Sequence, residues 1–191
     1  TGASTIPVTL TNNNLIEVQS DSLIVSSAFA NDGSLQITSP GMFVTTGPTF
    51  DNNGVLGGDG TLDVSATVAT NQAGGQIAPG VSIGILNITG DITLASGSNL
   101  DIELAGSGGV PGTDFDQLVV SGTLTVAASA NLNVTESAFV TSISDTFDVL
   151  SYGTLTGGAG SLSNFSLNVP GGDAYTLTEP VAGVGRLTTT A

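Results

Sequence analysis

Between residues 29 and 77 one arrangement of apolar and polar positions comes round three times. Phe29-Ala30-Asn31-Asp32-Gly33-Ser34-Leu35 is followed by Phe50-Asp51-Asn52-Asn53-Gly54-Val55-Leu56, with Phe, Asn, Gly and Leu each displaced by 21. A fainter copy, Asn71-Gln72-Ala73-Gly74-Gly75-Gln76-Ile77, stands 21 further on, and Gly97-Ser98-Asn99-Leu100 continues the series at a step of 22. Asn12-Asn13-Asn14-Leu15 reads as an earlier copy.

Each copy places an Asn/Asp/Gly turn before a short apolar strand, and further short strands fill the interval: Met42-Phe43-Val44-Thr45, Leu62-Asp63-Val64, Ile83 to Ile88 and Ile92-Thr93-Leu94. Self-similarity at one fixed period is the signature of a solenoid. Several strands and turns per ~21 residues fit one coil of a parallel β-helix, stacked on the next at the inter-strand spacing of about 4.8 Å. The expected fold is therefore all-β: a right-handed parallel β-helix of about 21 residues per coil, closed by an irregular β cap. Like residues then form columns, Phe29 over Phe50, Leu35 over Leu56 over Ile77, and Asn31 over Asn52. The turn glycines are expected to supply positive-φ corners. An antiparallel sandwich gives no reason for the constant spacing.

Three segments follow from this pattern. Residues 1–28 hold N-terminal strands, with Pro7 suited to a strand start or an edge because it lacks an N–H. Residues 29–104 hold the regular coils. Residues 105–191 hold a less regular solenoid with a Gly-rich loop insertion at 105–113, then strands at Leu118–Val120, Leu124–Val126, Leu132–Val134 and Phe147–Leu150, and finally the cap. No stretch shows a helical period.

Composition supports the same class and removes several functions. Gly, Asn, Thr, Val and Ile suit turns and pleated surfaces. Sixteen acids face one base, Arg186, with no Lys or His, for a net charge of −15. Such a field repels phosphate backbones and anionic membranes, which argues against nucleic-acid partners. One cation cannot pair sixteen anions, so apolar burial and backbone hydrogen bonds must hold the fold. The absence of Cys excludes disulfides, thiolate metal sites and thiol catalysis. No apolar run approaches the ~18 residues of a membrane-spanning helix, and no membrane insertion is expected. A start at Thr1 suggests a processed secreted product or a piece of a longer one.

The run Gly75-Gln76-Ile77-Ala78-Pro79-Gly80-Val81-Ser82-Ile83-Gly84-Ile85-Leu86-Asn87-Ile88 is similar to a G-x-I-x-P-G-x-S-x-G-x-L-x-I pattern in passenger regions of bacterial autotransporters and related secreted β-helix repeat proteins. Phe115-Asp116-Gln117-Leu118-Val119-Val120-Ser121-Gly122 resembles their aromatic-D-x-L-x-V-x-G segment, and Asp145-Thr146-Phe147-Asp148-Val149-Leu150 the segment that follows. The resemblance spans roughly residues 33–160. It implies a parallel β-helix displayed outside the cell, extracellular or on a bacterial surface. The chain departs from the autotransporter plan in carrying no C-terminal membrane barrel.

Candidate chemistry is sparse. Gly80-Val81-Ser82-Ile83-Gly84 fits a nucleophile elbow, but the chain holds no His or Lys to serve as base. Asp101 and Glu103 share one face of a strand, as paired carboxylates of a glycosidase would, or as a solvated outer face does. β-Helix polysaccharide lyases resemble this fold but rely on a basic residue near calcium, and Arg186 is the sole candidate. Asp51, Asp59, Asp114 and Asp116 are candidate oxygen ligands for Ca²⁺, the one cofactor left open, without a complete calcium-loop spacing. Gly57-Gly58-Asp59-Gly60 lacks the order of a dinucleotide loop. Asn87, Asn133 and Asn164 sit in glycosylation sequons.

The expected function is therefore not enzymatic. A β-solenoid has two ends, each with a row of unpaired backbone groups. The N-terminal stretch Ile6 to Leu10 is apolar and uncharged, and contacts through Ile6, Val8 and Leu10 of one subunit and Val184 and Leu187 of another would join copies head to tail into a homopolymer, a surface filament or matrix fibre. The alternative is an adhesive or stalk module of a larger secreted surface protein that binds an extracellular glycan.

Overall fold

The computed structural model describes residues 2–137, 139, 141–157, 161–170 and 173–190; Thr1 and Ala191, at the outer limits of the first and last expected segments, lie outside them. Short strands separated by turn residues wind into stacked coils of three strands each. The first coil is β1 (Ser4–Ile6), β2 (Leu10–Asn12) and β3 (Leu15–Val18). The second is β4 (Ser22–Val25), β5 (Phe29–Asn31) and β6 (Ser34–Ile37), and the third is β7 (Met42–Thr45), β8 (Thr49–Asn52) and β9 (Val55–Gly58). The fourth is β10 (Thr61–Asp63), β11 (Val68–Asn71) and β12 (Gln76–Pro79), and the fifth β13 (Ile85–Thr89), β14 (Ile92–Leu94) and β15 (Asn99–Leu104).

Beyond the loop at 105–116 the first two strands of a coil merge. β16 (Gln117–Val126) pairs with β13 through its first half and with β14 through its second, so it turns from one face of the stack to the next. β17 (Ala130–Glu136) completes that coil. β18 (Thr146–Thr156) repeats the merger, and a 3₁₀ turn at Ser161–Asn164 leads into β19 (Phe165–Asn168). Every strand-to-strand pairing from coil to coil is parallel down to β18 and β19, with one isolated antiparallel bridge at Gly58–Gly80. The all-β solenoid of stacked parallel strands expected from the repeat is the observed fold.

Alternation inside each strand sets the core. Strands such as β6, β7 and β8 point every second residue inward, and parallel in-register stacking brings those residues into columns. Phe29 lies on Phe50 with ring centroids 5.6 Å apart, and Phe43 packs 4.9 Å from Phe29. Leu35, Leu56, Ile77, Leu100 and Leu132 form a fully buried column. Each such side chain contributes on the order of 2 kcal/mol of burial.

Two expectations about the repeat need correction. Register partners are 19 residues apart at Leu10–Phe29, 21 at Phe29–Phe50, 23 at Ile77–Leu100 and 32 at Leu100–Leu132. A period of 21 therefore holds only locally, because the corners absorb extra residues without disturbing the strands. As a result Asn71 does not fall under Phe50; it pairs with Asn52, and Ala69 takes the place under Phe50. The turn glycines also act differently from the expectation. Gly33 and Gly54 are not in the left-handed region; they are needed because a Cβ on Gly54 would lie 2.0 Å from the Gly33 carbonyl, and one on Gly33 2.2 Å from that of Asn14. Stacked turns leave no room for a side chain there.

The last coil is closed as expected by an antiparallel cap. β21 (Val184–Thr189) runs antiparallel along the first half of β18, and β20 (Tyr175–Thr178) along β21.

Candidate functional site

Asp101 and Glu103 share the outer face of β15, as their spacing predicts, but both are engaged. Asp101 accepts a hydrogen bond from Asn133 Nδ2 at 2.6 Å and another from Gln76, one coil to each side. Glu103 accepts from Ser137 Oγ at 2.8 Å. Together with Ser82, Thr135 and Asp116 they line a cavity of about 140 Å³.

Asp116 is the buried member of this set. Its side chain is 3% exposed; Oδ1 accepts from the Gly84 N–H and Oδ2 from the Glu103 N–H, both at 2.8 Å. Burial pushes its carboxyl up to about 7, the two N–H donors work against that rise, and the Glu103 charge adds to it. With both oxygens held by backbone, Asp116 is not free to serve Ser82 as a base. It acts as a clamp that ties the 80–84 turn to β15.

The other candidate calcium ligands are similarly occupied and sit on different elements. Asp51 in β8 accepts from Gln72 Nε2 at 2.6 Å, Asp59 after β9 from the Ser39 N–H at 2.9 Å, and Asp114 in the 105–116 loop from the Val110 N–H at 2.9 Å. Among the described residues no group of three or more acidic side chains is placed to hold a metal ion.

The two ends of the stack differ from these sites and from each other. At the N-terminal end, β1 pairs only with β4, β2 only with β5 and β3 only with β6, so three strand edges of one coil are open on the same side. Ile6, Leu10 and Ile16 pack down on the core but are only half-buried, and Val8 and Leu15 are 61% and 52% exposed. At the C-terminal end both edges of β21 are taken, by β18 and β20. Leu187 is fully buried in this cap and Val184 half-buried. The expected contact residues thus fall at opposite ends of the stack, and the Leu187 side chain is spent within its own chain.

Side-chain bonds fasten the cap to the coils. Arg186 holds Asp148 through Nε at 2.5 Å and a terminal nitrogen at 2.8 Å. Tyr152 donates to Glu179 at 3.0 Å, Tyr175 to Glu136 and Thr141 to Asp173. Both tyrosines are raised well above the usual phenol range, first by burial and then by the carboxylate each one meets. Arg186 is raised too, chiefly by its bond to Asp148.

Inside the stack runs a buried asparagine ladder, with a direction. Asn12 Nδ2 donates to Asn31 Oδ1, Asn31 to Asn52 and Asn52 to Asn71, each at 2.7 Å. The second amide hydrogen goes to the backbone carbonyl that opens the next coil's third strand: Ser34, Val55 and Gln76, at 2.8 to 2.9 Å. Asn71 meets Leu94 in the following coil and ends the ladder on the carbonyls of Asn99 and Gly75. The repeat reveals the Asn31–Asn52 step, but the direction of donation and the membership of Asn71 follow only from the register.

No protein-family model matches this chain, and no curated protein matches it in sequence.

Proposed function

We propose that this protein is a non-enzymatic structural β-solenoid, displayed outside the cell, that is extended end to end through its open N-terminal coil. The observation that carries this reading is the asymmetry of the ends: three open edges and half-buried Ile6, Leu10 and Ile16 at one, a pinned antiparallel cap at the other. Open edges of a parallel sheet are templates for strand addition. The extracellular setting draws support from the acidic composition and the resemblance to secreted β-helix repeats.

Two partners fit the reading. In a head-to-tail homopolymer the C-terminal end of one copy covers β1 to β3 of the next and builds a filament or fibre. In an adhesive or stalk module of a larger surface protein, with an extracellular glycan as ligand, another coil covers the same edges. Electron microscopy and sedimentation of the purified 191-residue chain test the first form. Filaments that vanish when residues 1–10 are removed support it; assembly that persists after their removal contradicts it.

A further inference from the structure

We infer that the open end is a socket for one kind of partner: a parallel β-coil that carries an asparagine at the ladder position and comes from outside these 191 residues. The inference rests on the end-to-end reading and specifies what completes that end.

The socket is read from the coils below it. Leu15 occupies in β3 the register position of Ser34 in β6, which in turn matches Val55, and Val55 matches Gln76. At each lower position the N–H and the C=O both point back to the preceding coil. Ser34 N donates to Asn14 O at 2.6 Å, Val55 N to Gly33 O at 2.8 Å and Gln76 N to Gly54 O at 2.8 Å. The carbonyls of the same three residues accept the ladder amides of Asn12, Asn31 and Asn52. The same backbone course turns the Leu15 N–H and C=O toward the side where no coil lies.

Asn12 completes the socket. Asn31, Asn52 and Asn71 each receive an amide hydrogen on Oδ1 from the coil before. Asn12 Oδ1 instead takes the Asn14 N–H of its own turn, at 3.2 Å. The open end therefore displays two acceptors, Asn12 Oδ1 and Leu15 O, and one donor, Leu15 N. At three lower rungs that triad is filled by a carboxamide with two hydrogens and a turn carbonyl. An asparagine-bearing coil supplies both in one piece.

The C-terminal end of a second copy does not. Below Asn71 the ladder column continues as Leu94 and Val126, which carry no amide. The β20–β21 cap adds two antiparallel strands to that end beyond β18.

The test adds the missing coil. A copy of residues 22–41 is fused directly before Ser4, which sets the copied Asn31 in the ladder spacing above Asn12. One fusion keeps that asparagine, and a second carries Asn31→Leu in the copied coil only. Both are compared with the unextended chain by thermal unfolding and by hydrogen exchange at the Leu15 amide. The expected result is a rise in Tm of roughly 5 °C for the asparagine fusion, a slowed Leu15 amide, and loss of most of both gains with leucine. Equal gains from the two fusions overturn the socket and leave the end-to-end reading standing. No gain from either overturns both. Filaments of the unextended chain built through β1 to β3 give the site to a second copy and overturn the inference alone.

Discussion

The two ends of this stack finish the same architecture in opposite ways. At the C-terminal end the chain turns back on itself. β21 reverses direction, pairs with β18 and receives β20, so the strand edge over that face is taken up inside the molecule. The chain's one arginine, two tyrosines and several acids are gathered there into one ion pair and several hydrogen bonds. At the N-terminal end no such reversal occurs. The three strands of the first coil each have one partner, and its inward residues Ile6, Leu10 and Ile16 are left half-covered. A parallel coil can continue all three strands at the N-terminal end, whereas at the other end the reversed β21 occupies the edge of β18 over residues 146–151.

The largest contrast is expected for apolar truncation. Leu187→Ala removes a fully buried side chain of the cap and should lower unfolding stability by about 2–5 kcal/mol. Leu15→Ala at the open end, where the side chain already meets solvent, should stay within about 0.5 kcal/mol. Denaturant titration of the two variants reads the difference, and equal losses would mean that the ends are not distinct.

The ladder offers a second comparison within one chemistry. Asn52→Leu strips a buried donor and acceptor from the middle rungs and leaves Asn31, Asn71 and Gln76 with unmet groups, for an expected loss of about 3 kcal/mol. Asn12→Leu disturbs one rung that already faces the open end, and about 1 kcal/mol is expected. Were the first rung as costly to remove as the third, a contact that already completes the end would have to exist in the isolated chain.

Between the ends, Asp116 gives the stack a dependence on pH. Its carboxyl is raised from 3.8 to about 7 in the folded chain. In that window the folded chain holds a proton that the unfolded chain has released, so stability declines as pH rises from about 4 to 7 and levels off above. The shift from 3.8 to about 7 sets an upper bound of roughly 4 kcal/mol on that decline. Asp116→Asn should flatten it, and chemical denaturation at pH 5 and pH 8 measures both.

The regular coils were legible in the sequence because nothing interrupts them. Phe29 and Phe50, or Leu35 and Leu56, are separated by corners of equal length, so columns can be counted off residue by residue. Asn71 was misplaced by that counting, because the preceding corner is shorter and the following turn is longer by compensating amounts. Gly33 and Gly54 were recognisable as turn glycines, yet their cause is the carbonyl of the coil above rather than backbone handedness. Asp116 carried no signal of its clamp. Its partners Gly84 and Glu103 are 32 and 13 residues away and meet it only through the winding of the coils. Val184 and Leu187 were rightly seen as a terminal strand, but an antiparallel return has no register with the repeat, and alternation alone could not tell a buried cap from an exposed edge.

The central claim is that the first coil is open on the side where every later coil is covered by the coil before it. Residue-resolved hydrogen exchange on the dilute, unextended chain tests it at two equivalent amides, Leu15 in the first coil and Val55 in the third, whose N–H is bonded to Gly33 O at 2.8 Å. Leu15 should exchange close to the rate of an unstructured peptide, and Val55 slower by roughly two orders of magnitude or more. Equal protection at the two amides would contradict an open N-terminal end.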